Sequence, residues 1–184
     1  MNGTVLVRWA AGVVVFGLAG LISTFPSVVQ AGHEESLTLD VAIDCRTWRF
    51  NQGIPDSAVG RGDTFIANGK IFRGGTLPAG MTGDPNAPGS IGTFIEHGTM
   101  AATLAEIIAG KRPAFIGTWV HMLNDGRTIV AIGPHPDSGP MAVVGGMGSL
   151  AGASGQMDVN IIGANSTGCP NVRVTIVLQK HGPK

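Results

Sequence analysis

Hydrophobic and polar residues alternate in the segment that follows residue 36. The residues on one side are Leu37, Leu39, Val41 and Ile43, and those on the other are Thr38, Asp40, Ala42 and Asp44. A period of two places the two sets on opposite faces of an extended chain. The pattern therefore predicts a half-buried β-strand over residues 37–44.

Similar short segments recur along the chain, separated by turns that contain glycine. They predict seven further strands, at Thr64–Phe72, Thr93–Met100, Phe115–Leu123, Thr128–Ile132, Met141–Val144, Gln156–Ile162 and Asn171–Gln179. Asp125-Gly126 lies between the third and fourth of these seven, and Asp-Gly favours a tight hairpin because both central residues of that turn need positive φ. We expect those two strands to be antiparallel neighbours.

Two segments between the strands have a different pattern. Ala101–Ala109 predicts either a short helix, with Leu104, Ile107 and Ile108 on one face and Gly110 at its end, or a continuation of the strand before it. The stretch Gly74–Gly92 is rich in glycine and proline and predicts a long loop, which is a candidate lid. Eight strands with so little helix indicate an all-β domain. An antiparallel closed barrel is favoured over an open sandwich because closure removes exposed strand edges.

The N-terminal segment has the features of a secretory signal peptide. Arg8 is followed by the uncharged apolar run Trp9–Ile22, and Val29-Gln30-Ala31 places small residues where a signal peptidase cuts. A membrane anchor is the alternative, but the run is shorter than the roughly 20 apolar residues that a bilayer core requires. We expect residues 1–31 to be removed and residues 32–184 to form one secreted or periplasmic domain.

The predicted mature chain is nearly neutral. Removing Arg8 from the twelve Lys and Arg leaves eleven basic residues against twelve Asp and Glu, with no run of either sign. Binding to a phosphate backbone requires a basic stripe, so nucleic acid is not an expected partner. No amphipathic basic segment indicates a membrane surface, and no stable membrane insertion is expected after cleavage.

The chain has two cysteines. Cys45 follows the first predicted strand and Cys169 precedes the last. In an oxidising compartment two such thiols tend to pair and close a long loop, so we predict a disulfide between them. Two buried free thiols or one reactive thiol are the alternatives that the spacing leaves open.

Residues 143–156, VVGGMGSLAGASGQ, form a glycine-rich stretch between two predicted strands. Its glycines permit positive φ and close backbone approach, and no Gly-Lys-Ser/Thr ending follows that would indicate a phosphate loop. The stretch resembles the glycine signature of the allene oxide cyclase and dirigent superfamily. Gly62–Phe72 and Gly126–Pro134 resemble two further strands of that superfamily, in the same order along the chain.

The resemblance implies a lipocalin-like antiparallel barrel with a largely apolar cavity, commonly assembled as a homotrimer. Allene oxide cyclases and dirigent proteins confine a reactive small molecule by orientation and desolvation, without a metal or an organic cofactor. We therefore expect an exported barrel that binds a small apolar or phenolic molecule and directs its cyclisation, isomerisation or stereoselective coupling. A non-catalytic carrier and a structural barrel filled by its own side chains are the alternatives.

The candidate catalytic residues lie on two predicted strands. Trp119 and His121 share a face with Phe115, and His121 is suited to proton transfer near neutral pH if that face points inward. The alternative for His121 is a hydrogen-bonded structural histidine. Glu96 and His97 are adjacent, so only one of them faces the cavity, and the pattern does not decide which.

Other polar residues are candidates for ligand contact. Asp40 and Asp44 share a face of the first strand but lie too far apart to share a proton, and each is either a lone acid in a pocket or a solvent-facing residue. Asn68 either offers its amide to a ligand or forms a turn with Gly69. Asn165-Ser166-Thr167 is formally a glycosylation acceptor. No histidine spacing indicates a metal site, and none is expected.

Overall fold

The computed structural model of the protein describes four ranges of the chain, residues 34–51, 59–78, 80–135 and 139–179. For Glu34 and residues 80–83 it describes the backbone only. The predicted signal peptide, residues 1–31, lies outside these ranges. Within them, no helix is long and apolar enough to cross a lipid bilayer.

The regular elements of the described chain are β-strands, one short α-helix and a 3₁₀ turn at Gly148–Leu150. The strands are β1 (Glu34–Phe50), β2 (Thr64–Arg73), β3 (Gly80–Gly83), β4 (Gly92–Met100), β5 (Phe115–Leu123), β6 (Thr128–His135), β7 (Met141–Met147), β8 (Ser154–Asn165) and β9 (Pro170–Gln179). The helix α1 (Leu104–Ile108) lies inside the segment predicted as helix or strand. Thr103 caps it, because the Thr103 hydroxyl accepts from the Glu106 N–H and the Glu106 carboxylate accepts from the Thr103 N–H.

Eight of the strands form an antiparallel ring. Its order is β1, β2, β4, β5, β6, β7, β8 and β9, and β9 pairs with both β8 and β1. Each strand therefore has a hydrogen-bonded neighbour on both sides, which removes the edges that an open sandwich would retain. The predicted eight-stranded antiparallel barrel is confirmed. So is the hairpin between β5 and β6, where Gly126 has φ 85°.

The segment 74–91, which we call the strap, differs from the predicted loop. In its middle, β3 pairs in parallel with β8. Leu77 is buried against Ala42 and Phe72, which lie on the outward side of β1 and β2. This part of the strap covers the outer wall of the barrel and does not close over its end as the expected lid would. The strap also explains why residues 39–43 of β1 are buried on both faces and not on one.

The core is formed by the side chains that point into the ring. Its largest members include Leu39, Ile71, Phe94, Trp119, Ile129, Met157, Ile176 and Leu178, all at most 1% exposed. They come from β1, β2, β4, β5, β6, β8 and β9, so the core depends on pairings between distant parts of the chain. Burial of this apolar surface is the main favourable contribution to folding.

Cys45 and Cys169 form the predicted disulfide, with Cα atoms 5.2 Å apart. It joins β1 to the start of β9 beside a turn that Asn165 holds. The Asn165 amide donates to the carbonyl oxygen of Ile43 at 2.7 Å, and its side-chain oxygen accepts from the Thr167 N–H at 2.9 Å. Because the side chain is buried and used on both sides, Asn165 is a structural residue and not an accessible glycan acceptor.

Candidate functional site

Four side chains that carry aromatic or acid–base chemistry meet on the inner wall of the barrel. Glu96 on β4 lies opposite Trp119 on β5, and Phe94 lies opposite His121. All four are at most 1% exposed. The sequence pattern does not decide which of Glu96 and His97 faces the interior. In the structure Glu96 points inward, and the neighbouring His97 points outward and is exposed.

Glu96 is held by one hydrogen bond. The Nε1–H of Trp119 donates to Oε1 at 2.7 Å, whereas Oε2 is buried and has no hydrogen-bond partner among the described residues. Burial raises the pKa of Glu96 to about 8, because removal from water disfavours the carboxylate, and the bond from Trp119 opposes this only in part. Glu96 is therefore predominantly a neutral carboxylic acid at pH 7.

His121 has the opposite character. Neither of its ring nitrogens has a hydrogen-bond partner in the described part of the chain, and both are buried. Burial lowers the pKa of His121 to about 4, so the imidazole is neutral at pH 7. Its ring lies 5.3 Å from that of Phe94 between centroids. Glu96 and His121 are diagonal neighbours on paired strands, a relationship that places Cα atoms about 7–8 Å apart.

His135 is a third inward-facing ionisable residue, and the sequence pattern does not reveal it. It is 5% exposed, and its ring lies 4.6 Å from Trp119 and 5.2 Å from Phe115 between centroids. Burial, with a smaller contribution from the nearby charge of Arg112, lowers the pKa of His135 to about 4. The predicted strand ends at Ile132. Its inward positions are Ile129 and Ala131, and two further steps of the same alternation give Gly133 and then His135.

A row of three glycines explains how these rings come together. Gly98 on β4 lies opposite Gly117 on β5, which in turn lies opposite Gly133 on β6. Because the three glycines have no side chains, the rings that precede and follow them along the strands can touch. His135, two residues beyond Gly133, contacts Trp119, two residues beyond Gly117, in this way. A Cβ on Gly98 would lie 2.7 Å from the ring of Phe65, which occupies the freed space.

An apolar pocket of about 400 Å³ lies at the end of the barrel where β5 begins. It is lined by Cys45, Trp48, Phe50, Val59, Met100, Leu104, Ile107, Ala114 and Phe115. The indole nitrogen of Trp48 is buried and has no hydrogen-bond partner within the described ranges. Phe115 and Phe65, with ring centroids 5.0 Å apart, separate this pocket from the Glu96 carboxyl. The predicted residues Phe115, Trp119, His121 and Glu96 all lie on the inner wall, and Phe115 is the one that lines this pocket.

The opposite end of the barrel carries a pocket of different chemistry, with a volume of about 380 Å³. Its lining combines apolar residues such as Leu37 and Leu123 with Arg73 and Arg127. Arg127 pairs with Asp125 at 2.8 Å. The two ends of β5 therefore open onto surfaces of different polarity, and the apolar pocket is connected to Glu96 by the contacting rings of Phe115, His135 and Trp119.

The other sequence candidates lie on the outer wall. Asp40 is buried beneath the strap, where its carboxylate accepts from Arg173 at 2.8 Å. Asp44 pairs with an exposed arginine two residues further on. Asn68 and His97 are on the outward sides of β2 and β4. The barrel wall separates these four residues from the interior acid. In the described ranges, no group of three His, Cys, Asp or Glu side chains is placed to hold a metal ion.

Comparison with known proteins finds similarity among solved structures only. A scan against protein-family models finds no match, and a search of curated proteins finds none either. Among solved structures, the pterocarpan synthase dirigent protein PsPTS1 matches with a TM-score of 0.60 at 15% identity, over 84% of this chain and 99% of that one.

Two further structures agree. The pterocarpan synthase dirigent protein GePTS1 matches with a TM-score of 0.57 at 14% identity, covering 89% of this chain and 99% of its own. A pyocyanin demethylase matches with a TM-score of 0.51 at 18% identity, covering 79% of this chain and all of its own. The resemblance carried by the glycine signature is confirmed at the level of the fold, and the chain has the barrel fold of the dirigent proteins.

Proposed function

We propose that this protein is an exported barrel that binds a small apolar or phenolic molecule and catalyses a cofactor-independent rearrangement of it by proton transfer. The observation that carries the proposal is the pair of buried, incompletely hydrogen-bonded groups Glu96 and His121 on the inner wall. Buried polar atoms without partners are uncommon in proteins, and a catalytic role is one of the established reasons for them. The fold neighbours named for pterocarpan synthesis and pyocyanin demethylation support a small aromatic ligand.

The protonation states of the two residues suit an acid and a base. Glu96 carries its proton at pH 7 and His121 does not, because burial shifts the two pKa values in opposite directions. Such a pair transfers protons in a site that excludes water. The Glu96 acid donates a proton to an oxygen or carbon of the ligand, and His121 accepts one from a neighbouring carbon. The net change in the ligand is an isomerisation, with no electron acceptor required, and return of the proton from the His121 imidazolium to the Glu96 carboxylate restores both residues.

The apolar pocket supports binding of the ligand at the end of the barrel from which this pair is reached. Its lining carries no charged side chain, so it favours a neutral molecule. Access to Glu96 requires the rings of Phe65 and Phe115 to move apart. The Phe65 ring lies against Gly98 of the glycine row, which places no side chain next to it. We infer that these two phenylalanines admit the reacting part of the ligand.

The proposal is tested by native mass spectrometry of the protein purified from its own host, followed by incubation of any retained molecule with the protein in D₂O. We expect a bound small molecule and the appearance of solvent deuterium in it. Glu96→Gln keeps an oxygen that accepts from Trp119 but has no acidic proton, so exchange should fall by at least about 100-fold.

His97→Gln is the matched control for this experiment. It changes an ionisable side chain at the adjacent position on the outer wall, and exchange should continue at the wild-type rate. Retention of a molecule that exchanges no deuterium with either wild type or Glu96→Gln would refute catalysis and support a carrier. Loss of exchange in His97→Gln would also contradict the assignment.

We also propose export and removal of residues 1–31. A disulfide that joins distant parts of the chain supports an oxidising compartment. The test is the intact mass of the protein recovered from outside the cytoplasm of its host, which should correspond to a chain that begins at Gly32. A mass that includes residues 1–31 would contradict cleavage.

A homotrimer remains our proposal for the assembly. The outward residues of β4, β5 and β6 include no Asp, Glu, Lys or Arg, and Ile116 and Ile132 among them are 54% and 44% exposed. An uncharged face of this kind across three strands is typical of a subunit interface. Sedimentation velocity should show a trimer for wild type, a monomer for Ile132→Asp and a trimer for Met147→Asp, which changes an exposed residue on β7. A monomeric wild type would contradict the proposal.

A further inference from the structure

Strand β1 carries a bulge at the end of the barrel where the apolar pocket lies. Its pairing with β2 is regular as far as Asp44 and resumes at Arg49. Residues 45–48 of β1 therefore lie opposite the single residue Ala67 of β2. Bulges of this kind re-aim side chains and are frequent beside functional sites. Trp48, the last residue of the bulge, lines the apolar pocket.

The bulge is fixed by covalent and polar contacts along its length. Cys45, its first residue, is joined to Cys169 by the disulfide. The Thr47 hydroxyl accepts from a backbone N–H of β2 at 2.8 Å. The guanidinium of Arg49 donates to the carbonyl oxygen of Trp48 at 2.7 Å. The backbone that carries the Trp48 ring is therefore positioned in advance, as a specific binding group requires.

Among the described residues that line the pocket, Trp48 alone has a side chain that donates a hydrogen bond. The others have aliphatic, aromatic, thioether or disulfide side chains. The Trp48 ring packs against Phe50 and Phe65, with centroids 6.3 and 5.3 Å away. Its Nε1–H is buried and has no acceptor in the described part of the chain. A buried donor without an acceptor is costly and uncommon, so this one indicates an acceptor that the chain itself does not supply.

We propose that the indole N–H of Trp48 donates a hydrogen bond to an oxygen of the ligand, so that the pocket selects apolar molecules with a carbonyl or ether oxygen. This assignment rests on the proposed binding of a ligand in the apolar pocket and specifies the chemistry of that ligand. An indole N–H donates and does not accept. A carbonyl or ether oxygen pairs with it, whereas a hydrocarbon leaves it unpaired.

The contact between Trp48 and Phe65 connects this hydrogen bond to the reaction. Phe65 is one of the two rings proposed to admit the reacting part of the ligand. Because the two rings pack together, the same movement of Phe65 exposes more of the indole to the ligand. An oxygen held by Trp48 anchors one part of the molecule while another part approaches Glu96, which restricts the orientations in which it reacts.

A ligand oxygen fits the Trp48 donor better than a bound water does. Buried waters ordinarily make about three hydrogen bonds. The side chains of the described residues that line the pocket offer a water one partner, the Trp48 N–H. An ether or carbonyl oxygen is satisfied by a single donor, and the rest of such a ligand is apolar like the pocket wall.

The test compares 2-acetylnaphthalene with 2-isopropenylnaphthalene, which has nearly the same shape but a CH₂ group in place of the carbonyl oxygen. Equilibrium dialysis of the protein, purified from its host and freed of any retained molecule, gives the affinity of each probe. Trp48→Phe should lower the ratio of ketone to hydrocarbon affinity about tenfold, because it removes the hydrogen bond, whereas the changed shape of the pocket affects both probes alike. Phe50→Leu is the control, because it changes a ring of the same pocket that has no donor, and the ratio should stay at the wild-type value.

The indole N–H signal of Trp48 gives a second readout, which needs no variant. Trp48 and Trp119 are the two tryptophans after residue 31, and nuclear Overhauser contacts with the ring of Phe50 identify Trp48. In ¹H–¹⁵N spectra its indole proton should move further downfield with the ketone than with the hydrocarbon, because only the ketone accepts a hydrogen bond from it.

Two results would overturn the assignment and leave binding in the pocket intact. They are an equal affinity ratio in wild type and Trp48→Phe, and the same shift of the Trp48 signal with both probes. A wild type that binds neither probe would overturn the assignment together with the proposed aromatic ligand of this pocket. Deuterium exchange is measured on the retained molecule, so the result for catalysis is separate from the result for Trp48.

Discussion

Glu96 and Trp119 face each other across β4 and β5, and the indole N–H of Trp119 donates to Oε1 of Glu96 at 2.7 Å. In a neutral carboxyl group the oxygen that accepts this bond takes the carbonyl role, which leaves the acidic proton on Oε2. Oε2 is the buried atom without a partner among the described residues. Trp119 therefore fixes both the orientation of the acid and the position of its transferable proton.

The titration of Glu96 should appear in the stability of the protein. The pKa of Glu96 is raised to about 8, so above the ordinary value of 4.5 the unfolded chain releases a proton that the folded chain keeps. Its contribution to stability is full below pH 4.5 and is lost as the pH rises to 8, at about 1.4 kcal/mol per pH unit. Urea unfolding from pH 6.5 to 8 should show this decline for wild type and a nearly constant stability for Glu96→Gln.

Glu96→Gln keeps the acceptor for Trp119, so the two proteins should have similar stability near pH 5. The measurement that separates titration from a general packing defect is the difference between them as a function of pH. A constant difference from pH 5 to 8 would show that the interior carboxyl does not retain its proton.

His121 should limit stability on the acid side. Its pKa is lowered to about 4, so between pH 6.5 and 4 the unfolded chain binds a proton that the folded chain does not. The associated stability is full above pH 6.5 and decreases as the pH falls, by about 1.4 kcal/mol per pH unit. His121→Phe fills similar space without a titrating group. Between pH 6.5 and 4, its free energy of unfolding should therefore fall less steeply with decreasing pH than that of wild type, by about 1.4 kcal/mol per pH unit. His135 contributes a slope of the same sign, which remains in the variant.

The apolar pocket should bind a neutral fluorescent probe such as N-phenyl-1-naphthylamine. Leu104→Asp places a carboxylate in the pocket wall at a position that is 41% exposed, so the protein should remain folded. Probe affinity should fall at least about tenfold, because an apolar ligand would have to desolvate the charge. Met147→Asp, at the other end of the barrel, should bind the probe like wild type. Equal affinities in all three proteins would place the probe elsewhere.

The regular parts of the fold are predictable because alternation reports burial directly. Residues Phe115–Leu123 are predicted to the residue, and the inward set of that strand holds three of the site residues, Phe115, Trp119 and His121. The inward orientation of Glu96 is harder to predict, because it and the adjacent His97 face opposite sides of the strand and either could be the inward one. Only the pairing of β4 with β5 decides that Glu96 points inward.

The strap and the end of β6 are not predictable in this way. Gly133-Pro134 interrupts the apolar pattern and ends the predicted strand early, so His135 is missed. β3 has no alternation of its own and exists through its pairing with β8, about 80 residues further along the chain. The exposure of Leu104 and Ile108 on α1 is also not predictable, because a helix of five residues has apolar residues on more than one side and only packing decides which of them are shielded.

The disulfide should contribute substantially to stability. Cys45 and Cys169 are 124 residues apart, and the chain-entropy model gives about 5 kcal/mol for a loop of that length. Cys45→Ala combined with Cys169→Ala should lose most of this amount in urea unfolding, while reduction of the wild type should produce a similar loss. A loss below about 1 kcal/mol would show that the unfolded chain is not constrained by the bond.

The attachment of the strap to the outer wall of the barrel should depend on the buried carboxylate of Asp40. Arg173 donates to it at 2.8 and 3.2 Å, and the Leu77 N–H donates to it at 2.9 Å. Asp40→Asn removes the charge but keeps the size, and Arg173 is exposed enough to recover water, so we expect a loss of about 2 kcal/mol. Hydrogen exchange at the Leu77 amide should become faster while the inner strands stay protected. Asp44→Asn, which changes a carboxylate of the same strand with an exposed partner, should leave that amide unaffected. Unchanged exchange at Leu77 in Asp40→Asn would mean that apolar packing alone holds the strap.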